Sequence, residues 1–289
     1  MKIVRAEHLG MCFGVRDAIT LTQAHAETRP VTVLGDLVHN ETVLADLRSR
    51  GVAIRHDPAD IATPNVIITA HGASQRRIQA VRDLGFQVTE ATCPLVHRAH
   101  QALAGLVRQG YHPIVIGQRG HVEVRGLVED HPGCDVVLNE SEIAALTFRP
   151  QMGIVSQTTQ PVSRVRHLVE LIRKQFPATE VQWIDTVCRP TKERQAAAET
   201  LAAQCDVVVV IGGALSNNTR ELAATARQFC PRVHQIQGVD ELRSEWFCNA
   251  DVVGLTAGTS TPDSTIEAVQ AALSKLASYQ ERTDWEVAA

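Results

Sequence analysis

The chain has 289 residues, 44% hydrophobic and 21% charged, with 18 Gly and 12 Pro. That composition builds a packed core and excludes collagen-like and disordered classes. A net charge of −4 argues against a strongly basic nucleic-acid face, and the longest apolar run, 207–215, is far short of the roughly 18 residues a membrane span needs.

The chain opens with a strand pattern, KIVRAEHLGMCFG, that carries Cys12 beside a glycine. A helical stretch, RDAITLTQAHAET, follows, and then a short apolar strand runs into a polar tip, VTVLGDLVHN, with His39 at position 27 after Cys12. A further strand and tip, NVIITAHGAS, carries His71 and leads into the amphipathic helix QRRIQAVRDLG.

The same order then begins again. FQVTEATCP ends on Cys93, and LVHRAHQALAGLVRQG is a helix with its apolar stripe at Leu95, Ala99, Leu103, Leu106 and Val107. HPIVIGQRGHVE places His121 at position 28 after Cys93, with Glu123 beyond it. HPGCDVVLN is the next strand, MGIVSQTTQP carries Thr158, and VSRVRHLVELIRKQF closes the second segment.

A third round starts at VQWIDTVCRP with Cys188 and the helix TKERQAAAETLAAQ. DVVVVIGGALSNN follows, with Ser216 at position 28 after Cys188 and Asn217 and Asn218 beside it. RVHQIQG, then VVGLTAGTSTPD with Thr259 and Ser260, then STIEAVQAALSKLAS complete it. The repeat lies in order and spacing, not in sequence identity.

Short Val/Ile runs alternating with helices predict parallel sheets covered on both faces, with ligands at the carboxyl edge of the strands. The expected fold is α/β, a trefoil of three pseudo-threefold related α/β domains with mostly parallel sheets around a centre. Their boundaries are 13–92, 93–187 and 188–276, the third joined by the N-terminal strand 1–12, with a motif-free tail at 277–289.

Three cysteine tips aimed at one centre suit an iron–sulfur cluster or a zinc ion. Their separations of 81 and 95 residues, without any CxxC pair, are unlike compact zinc spacing. Seven cysteines, an odd number without an export signal, fit a reducing cytoplasm, and Cys134, Cys205, Cys230 and Cys248 read as core or surface thiols. The polar tips, with hydrogen-bonding groups just before helices, suit a phosphate-type anion. Glu123 is the one carboxylate among the inner tips, and a carboxyl group in a closed pocket can deliver protons. No phosphate loop of the GxxxxGK[ST] type occurs.

With ATCPLV around Cys93, AHGAS around His71, GHVEVRG around His121 and Glu123, SQTT around Thr158 and TAGTSTPD around Ser260, the chain resembles the 4-hydroxy-3-methylbut-2-enyl diphosphate reductases from Cys12 to about Asp263. The resemblance implies a [4Fe–4S] cluster on Cys12, Cys93 and Cys188, with one iron left open for the substrate's hydroxyl. It also implies that His39, His71, His121, Ser216, Asn217, Asn218 and Ser260 bind the diphosphate. Glu123, Thr158 and His121 carry the catalytic roles, with Glu123 relaying a proton to the leaving hydroxyl. Electrons come from an external one-electron carrier such as ferredoxin or flavodoxin, and the products are isopentenyl and dimethylallyl diphosphates.

The motifs also depart from the family pattern. Met11 and Phe13 flank Cys12 where an aromatic and a small residue are usual, Pro190 stands where alanine is common, and Asn217 replaces a serine. Arg220-Glu221 stands in place of a polar–Arg pair. A paralogue acting on another allylic or phosphorylated alcohol, or a non-enzymatic iron–sulfur redox sensor, are the alternative readings.

Overall fold

The computed structural model describes residues 1–288, with side chains through residue 278. The tail expected over 277–289 lies almost wholly outside the described side chains. The first elements are β1 (Lys2–Arg5), α1 (Phe13–Thr28), β2 (Val31–Leu34), α2 (Glu41–Ser49), β3 (Ala53–Arg55), β4 (Asn65–Ile68), α3 (Gln75–Asp83) and β5 (Gln87–Glu90). Next come α4 (Pro94–Arg108), β6 (His112–Ile116), α5 (Val122–Glu129), β7 (Asp135–Val137), α6 (Glu140–Ala144), β8 (Gln151–Ser156), α7 (Val162–Gln175) and β9 (Glu180–Trp183). The chain ends with α8 (Arg189–Ala202), β10 (Val207–Ile211), α9 (Asn217–Ala226), β11 (Val233–Ile236), β12 (Val252–Ala257) and α10 (Asp263–Ala288).

Among the described residues the strands form three four-stranded sheets, β5-β4-β2-β3, β9-β8-β6-β7 and β1-β12-β10-β11, and every pairing is parallel. The three orders are the same order. In each, an edge strand that leads to a cysteine lies beside a strand that leads to a polar tip. The sequence repeat is therefore a repeat of sheet topology, and β1 completes the last sheet from the far end of the chain.

Residue contacts divide the chain into two compact units. One consists of Met1–Cys12, His39–Val43 and Arg189–Ala289, and the other of Phe13–Val38 and Leu44–Cys188. The first holds the sheet of β1 and β10 to β12. All five residues of β10, Val-Val-Val-Val-Ile, are buried, as a strand with helices on both faces requires. Val207, Val209 and Ile211 pack on one side with Val269 and Leu273 of α10, while Val208 and Val210 pack on the other with Ala198 of α8 and Leu222 of α9.

The second unit holds the other two sheets. Pro94 occupies the first turn of α4, where its missing N–H costs nothing and its fixed φ suits the helix. The buried stripe of α4 is Val96, Ala99, Leu103 and Leu106. Leu95 and Val107, expected on that stripe, sit half-buried on its flanks. Val96 takes the place of Leu95 because the turn at Gly72 covers it, with a Cβ on Gly72 falling only 3.2 Å from Val96 Cγ1. No helix among the described residues is long and apolar enough to cross a membrane.

Candidate functional site

Each cysteine named from the sequence lies beyond an edge strand and next to a helix start. Cys12 immediately precedes α1, Cys93 is the N-cap of α4, and Cys188 immediately precedes α8. The three are held alike. The Cys12 N–H donates to the Thr259 carbonyl (3.0 Å), that of Cys93 to Ala70 (3.1 Å), and that of Cys188 to Thr158 (3.0 Å). Each acceptor stands two residues past the end of the neighbouring strand, β12, β4 and β8 respectively. Parallel pairing thus carries every cysteine to the carboxyl edge of its sheet.

The three cysteines form no disulfide and are half-buried, which suits metal-binding thiols. The others do not share that character. Burial pushes the Cys134 thiol up to about 12 and that of Cys205 up to about 11, in both cases helped by a neighbouring aspartate. Cys230 is buried with its sulfur on the Asp206 and Arg232 carbonyls, and Cys248 is exposed. On one side the Cys93 sulfur packs directly against a glycine backbone. A Cβ on Gly14 of α1 would fall 2.4 Å from Cys93 Sγ. The donor set and this cradle fit an iron–sulfur group.

His39, His121 and Ser216 occupy one topological position, five residues past the ends of β2, β6 and β10. His121 caps α5, its Nδ1 accepting the Glu123 backbone N–H at 3.1 Å. That bond fixes the tautomer in the neutral ring, leaving the hydrogen on Nε2 as a donor. The ring of His71 meets that of His121 edge-on, with centroids 5.5 Å apart.

Glu123 lies in the first turn of α5 and is 1% exposed. The Thr158 N–H donates to its Oε1 at 2.6 Å, and the Thr158 hydroxyl to its Oε2 at 3.1 Å. Burial pushes the Glu123 carboxyl up to about 7, against the pull of those two bonds toward the ionised form. Within this unit the hydrogen bonds run from the Cys188 N–H to the Thr158 carbonyl, and from Thr158 to Glu123. They continue through the Glu123 N–H to His121.

In the other unit the remaining candidates gather around the turn after β12. The Thr259 carbonyl holds Cys12 and its N–H donates to Asn218 Oδ1 at 3.0 Å. Asn218 Nδ2 is buried and has no partner among the described residues. Ser216 caps α9 by accepting the Thr219 N–H, which leaves its own hydroxyl hydrogen to give, and Asn217 is buried in the first turn. The Ser260 hydroxyl donates to the His39 carbonyl at 3.4 Å. Gly213 backs that carbonyl so closely that a Cβ there would fall 2.4 Å from it.

Sequence reasoning did not single out His100 or Gly14. His100, on α4, packs between Gly72 and Gly126, and a Cβ on either glycine would come within 3.7 Å of its ring. Burial pushes its imidazole down to about 4, opposed by Asp130, so it is neutral. Its only sequence signal is its helical spacing from His97. For Gly14 the signal was a glycine in the first turn of a helix, where propensity does not favour it.

The model of the LytB protein family matches residues 3–274. A 4-hydroxy-3-methylbut-2-enyl diphosphate reductase of Geobacter metallireducens is 36% identical over 273 residues, covering 93% of this chain and 95% of that protein. The protein of that name from Aquifex aeolicus is 34% identical over 284 residues, covering 96% and 98%. Among solved structures, the E-1-hydroxy-2-methyl-but-2-enyl-4-diphosphate reductase of Plasmodium falciparum superposes with a TM-score of 0.87 at 26% identity, over 92% of this chain and 86% of that one. A structure of (E)-4-hydroxy-3-methyl-but-2-enyl diphosphate reductase, described as the terminal enzyme of the non-mevalonate pathway, gives 0.66 at 33% identity, over 95% and 99%. Sheets of one repeated order, the cysteine at each carboxyl edge and likeness along nearly the whole chain place this protein in the LytB family of 4-hydroxy-3-methylbut-2-enyl diphosphate reductases.

Proposed function

We propose that this chain is a cytoplasmic iron–sulfur reductase that removes the hydroxyl of 4-hydroxy-3-methylbut-2-enyl diphosphate. Two electrons and two protons convert that substrate to water and isopentenyl or dimethylallyl diphosphate. Cys12, Cys93 and Cys188, one at the carboxyl edge of each sheet, hold a [4Fe–4S] cluster in a chain organised as domains 13–92, 93–187 and 188–276 with 1–12. When bound, such a cluster supplies single electrons and, at the iron without a protein ligand, a Lewis acid. An external carrier such as ferredoxin or flavodoxin delivers the electrons one at a time.

The observation that carries this reading is Glu123, a buried carboxyl group poised near neutrality and bonded through both oxygens to Thr158. A protonated Oε2 turns the 3.1 Å contact around, donating to Thr158 Oγ1 and freeing the threonine's own hydrogen. The pair therefore holds one proton and hands it on at the Thr158 hydroxyl, where it leaves with the substrate's oxygen as water. A second proton at either end of the allyl unit gives the two products.

The remaining residues bind and orient. Asn218 Nδ2, His121 Nε2, His39, His71, Asn217 and the hydroxyls of Ser216 and Ser260 are donors for the diphosphate, and the N-terminal end of α9 adds its partial positive charge. Fixing that end of the substrate converts binding into orientation at its hydroxyl.

Turnover tests the reading. Anaerobically purified protein should be brown, contain iron and sulfide, and consume the allylic diphosphate with a reduced viologen dye. A colourless zinc protein, or a brown one without turnover, contradicts it. The pH profile is a further expected result. Glu123 acts as an acid, so kcat/KM should fall tenfold per pH unit above about 7, where the carboxyl loses its proton. A rise through that range would contradict the assigned role.

A further inference from the structure

We propose that Arg194 is the positioning residue of the arm that carries Cys12, and that it joins this arm to the first turn of α8. The inference rests on Cys12 being a cluster ligand.

The arm is tied to its sheet by backbone hydrogen bonds and by Leu9. It follows the line of β12 through the Ala6 N–H on the Leu255 carbonyl and the Gly10 N–H on that of Ala257, then reaches Thr259 with Cys12. Four residues of the arm span the interval that two residues of β12 cover, so Glu7 and His8 loop out, exposed, while Leu9 packs back against the buried clusters of this sheet. Gly10 returns the chain to the sheet with a φ of +76°, which only glycine adopts readily. A side chain there would also fall 2.7 Å from Ile266 Cδ1.

Arg194 secures the other side of that peptide. Its Nε and Nη2 both donate to the Gly10 carbonyl, at 3.0 and 2.7 Å, and its Nη1 donates to the Pro190 carbonyl at 3.0 Å. The side chain is 7% exposed. A planar fork with fixed donors ties two backbone segments in one geometry, which a lysine cannot reproduce. One segment leads to Cys12 in two residues and the other follows Cys188 by two. The guanidinium also puts a permanent positive charge beside the ligand arm. Such a charge eases reduction of a negatively charged cluster.

The test compares the parent protein with Arg194→Gln and Arg194→Lys after anaerobic cluster reconstitution. Circular dichroism checks the fold. The readouts are the rate of iron loss to a chelator, the cluster's reduction potential, and the alkylation rate of Cys12 in cluster-free protein by mass spectrometry. Arg194→Gln should lose iron about tenfold or more faster, shift to a lower potential, and alkylate faster at Cys12 than the parent does. Arg194→Lys should recover the potential but not the iron retention, because it keeps the charge and loses the fork. If Arg194→Gln fails to fold, Arg194→Lys alone decides, through its iron loss. A folded variant matching the parent in all three readouts overturns the proposal. A parent that takes up no cluster overturns the functional reading instead, and the alkylation rates still decide whether Arg194 orders the arm.

Discussion

Glu123→Gln is expected to keep the brown colour and the iron content of the parent while losing about 10²- to 10⁴-fold in turnover, the usual contribution of a positioned proton donor. Glutamine fills the same space and keeps a carbonyl oxygen for the Thr158 N–H, and its amide reaches the Thr158 hydroxyl in place of Oε2. What it cannot do is carry an exchangeable acid proton. The fold is not the source of the loss. Above pH 7 the parent must ionise a fully buried carboxyl group whose proton affinity is raised by burial, whereas the unfolded chain ionises it freely. That group therefore lowers stability as pH rises from the ordinary carboxylate range through about 7, and glutamine removes the dependence. Thermal unfolding at pH 8 should find the variant at least as stable as the parent. Unchanged turnover with reduced viologen would remove Glu123 from the chemistry.

Gly14→Ala is expected to lower cluster occupancy by about tenfold or more, in the range seen when groups that orient metal ligands are lost. Alanine is the better helix former by about 1 kcal/mol, so α1 itself should gain from the change. The added methyl, however, would stand 2.4 Å from Cys93 Sγ and 3.1 Å from its Cβ. Carbon and sulfur do not approach that closely, and the movable partner is the cysteine side chain, which must rotate away from its present position. Iron and sulfide analysis after anaerobic reconstitution, with circular dichroism to check the fold, reads the effect. A folded variant with a full complement of iron would show that the Cys93 sulfur has no need of its present position.

The fold was legible because its signal is local and repeated. Val/Ile runs such as 207–211 become strands buried on both faces, and the cysteines mark equivalent points because parallel pairing brings each to the same edge. Offsets of 27 and 28 residues from cysteine to tip translate into one topological position, five residues past a strand. The polar tips were legible for the same reason, since turns before helices leave their donors exposed in the sequence pattern.

Other features arise only from tertiary packing. HVEVRG alternates like a surface segment, yet Glu123 is buried, because the first turn of α5 lies under Thr158. Arg194 reads as one more charge on a polar helix, and only the return of the chain at Gly10 gives its guanidinium two carbonyls to bind. His100 likewise depends on two glycines from separate elements closing over it. Of the departures, Pro190 is absorbed without disruption, since its ring occupies the first turn of α8 and its carbonyl still serves Arg194. Phe13 is 47% exposed, and nothing in the structure explains its replacement of a small residue.

Mössbauer spectroscopy of protein rebuilt with ⁵⁷Fe and titrated with the allylic diphosphate is the most direct measurement of a cluster with three thiolate corners and one open. The expected spectrum has one iron distinct from the other three, and that component alone moves when the substrate is added. Four equivalent irons unaffected by the diphosphate, or no cluster iron at all, would contradict the assignment of Cys12, Cys93 and Cys188.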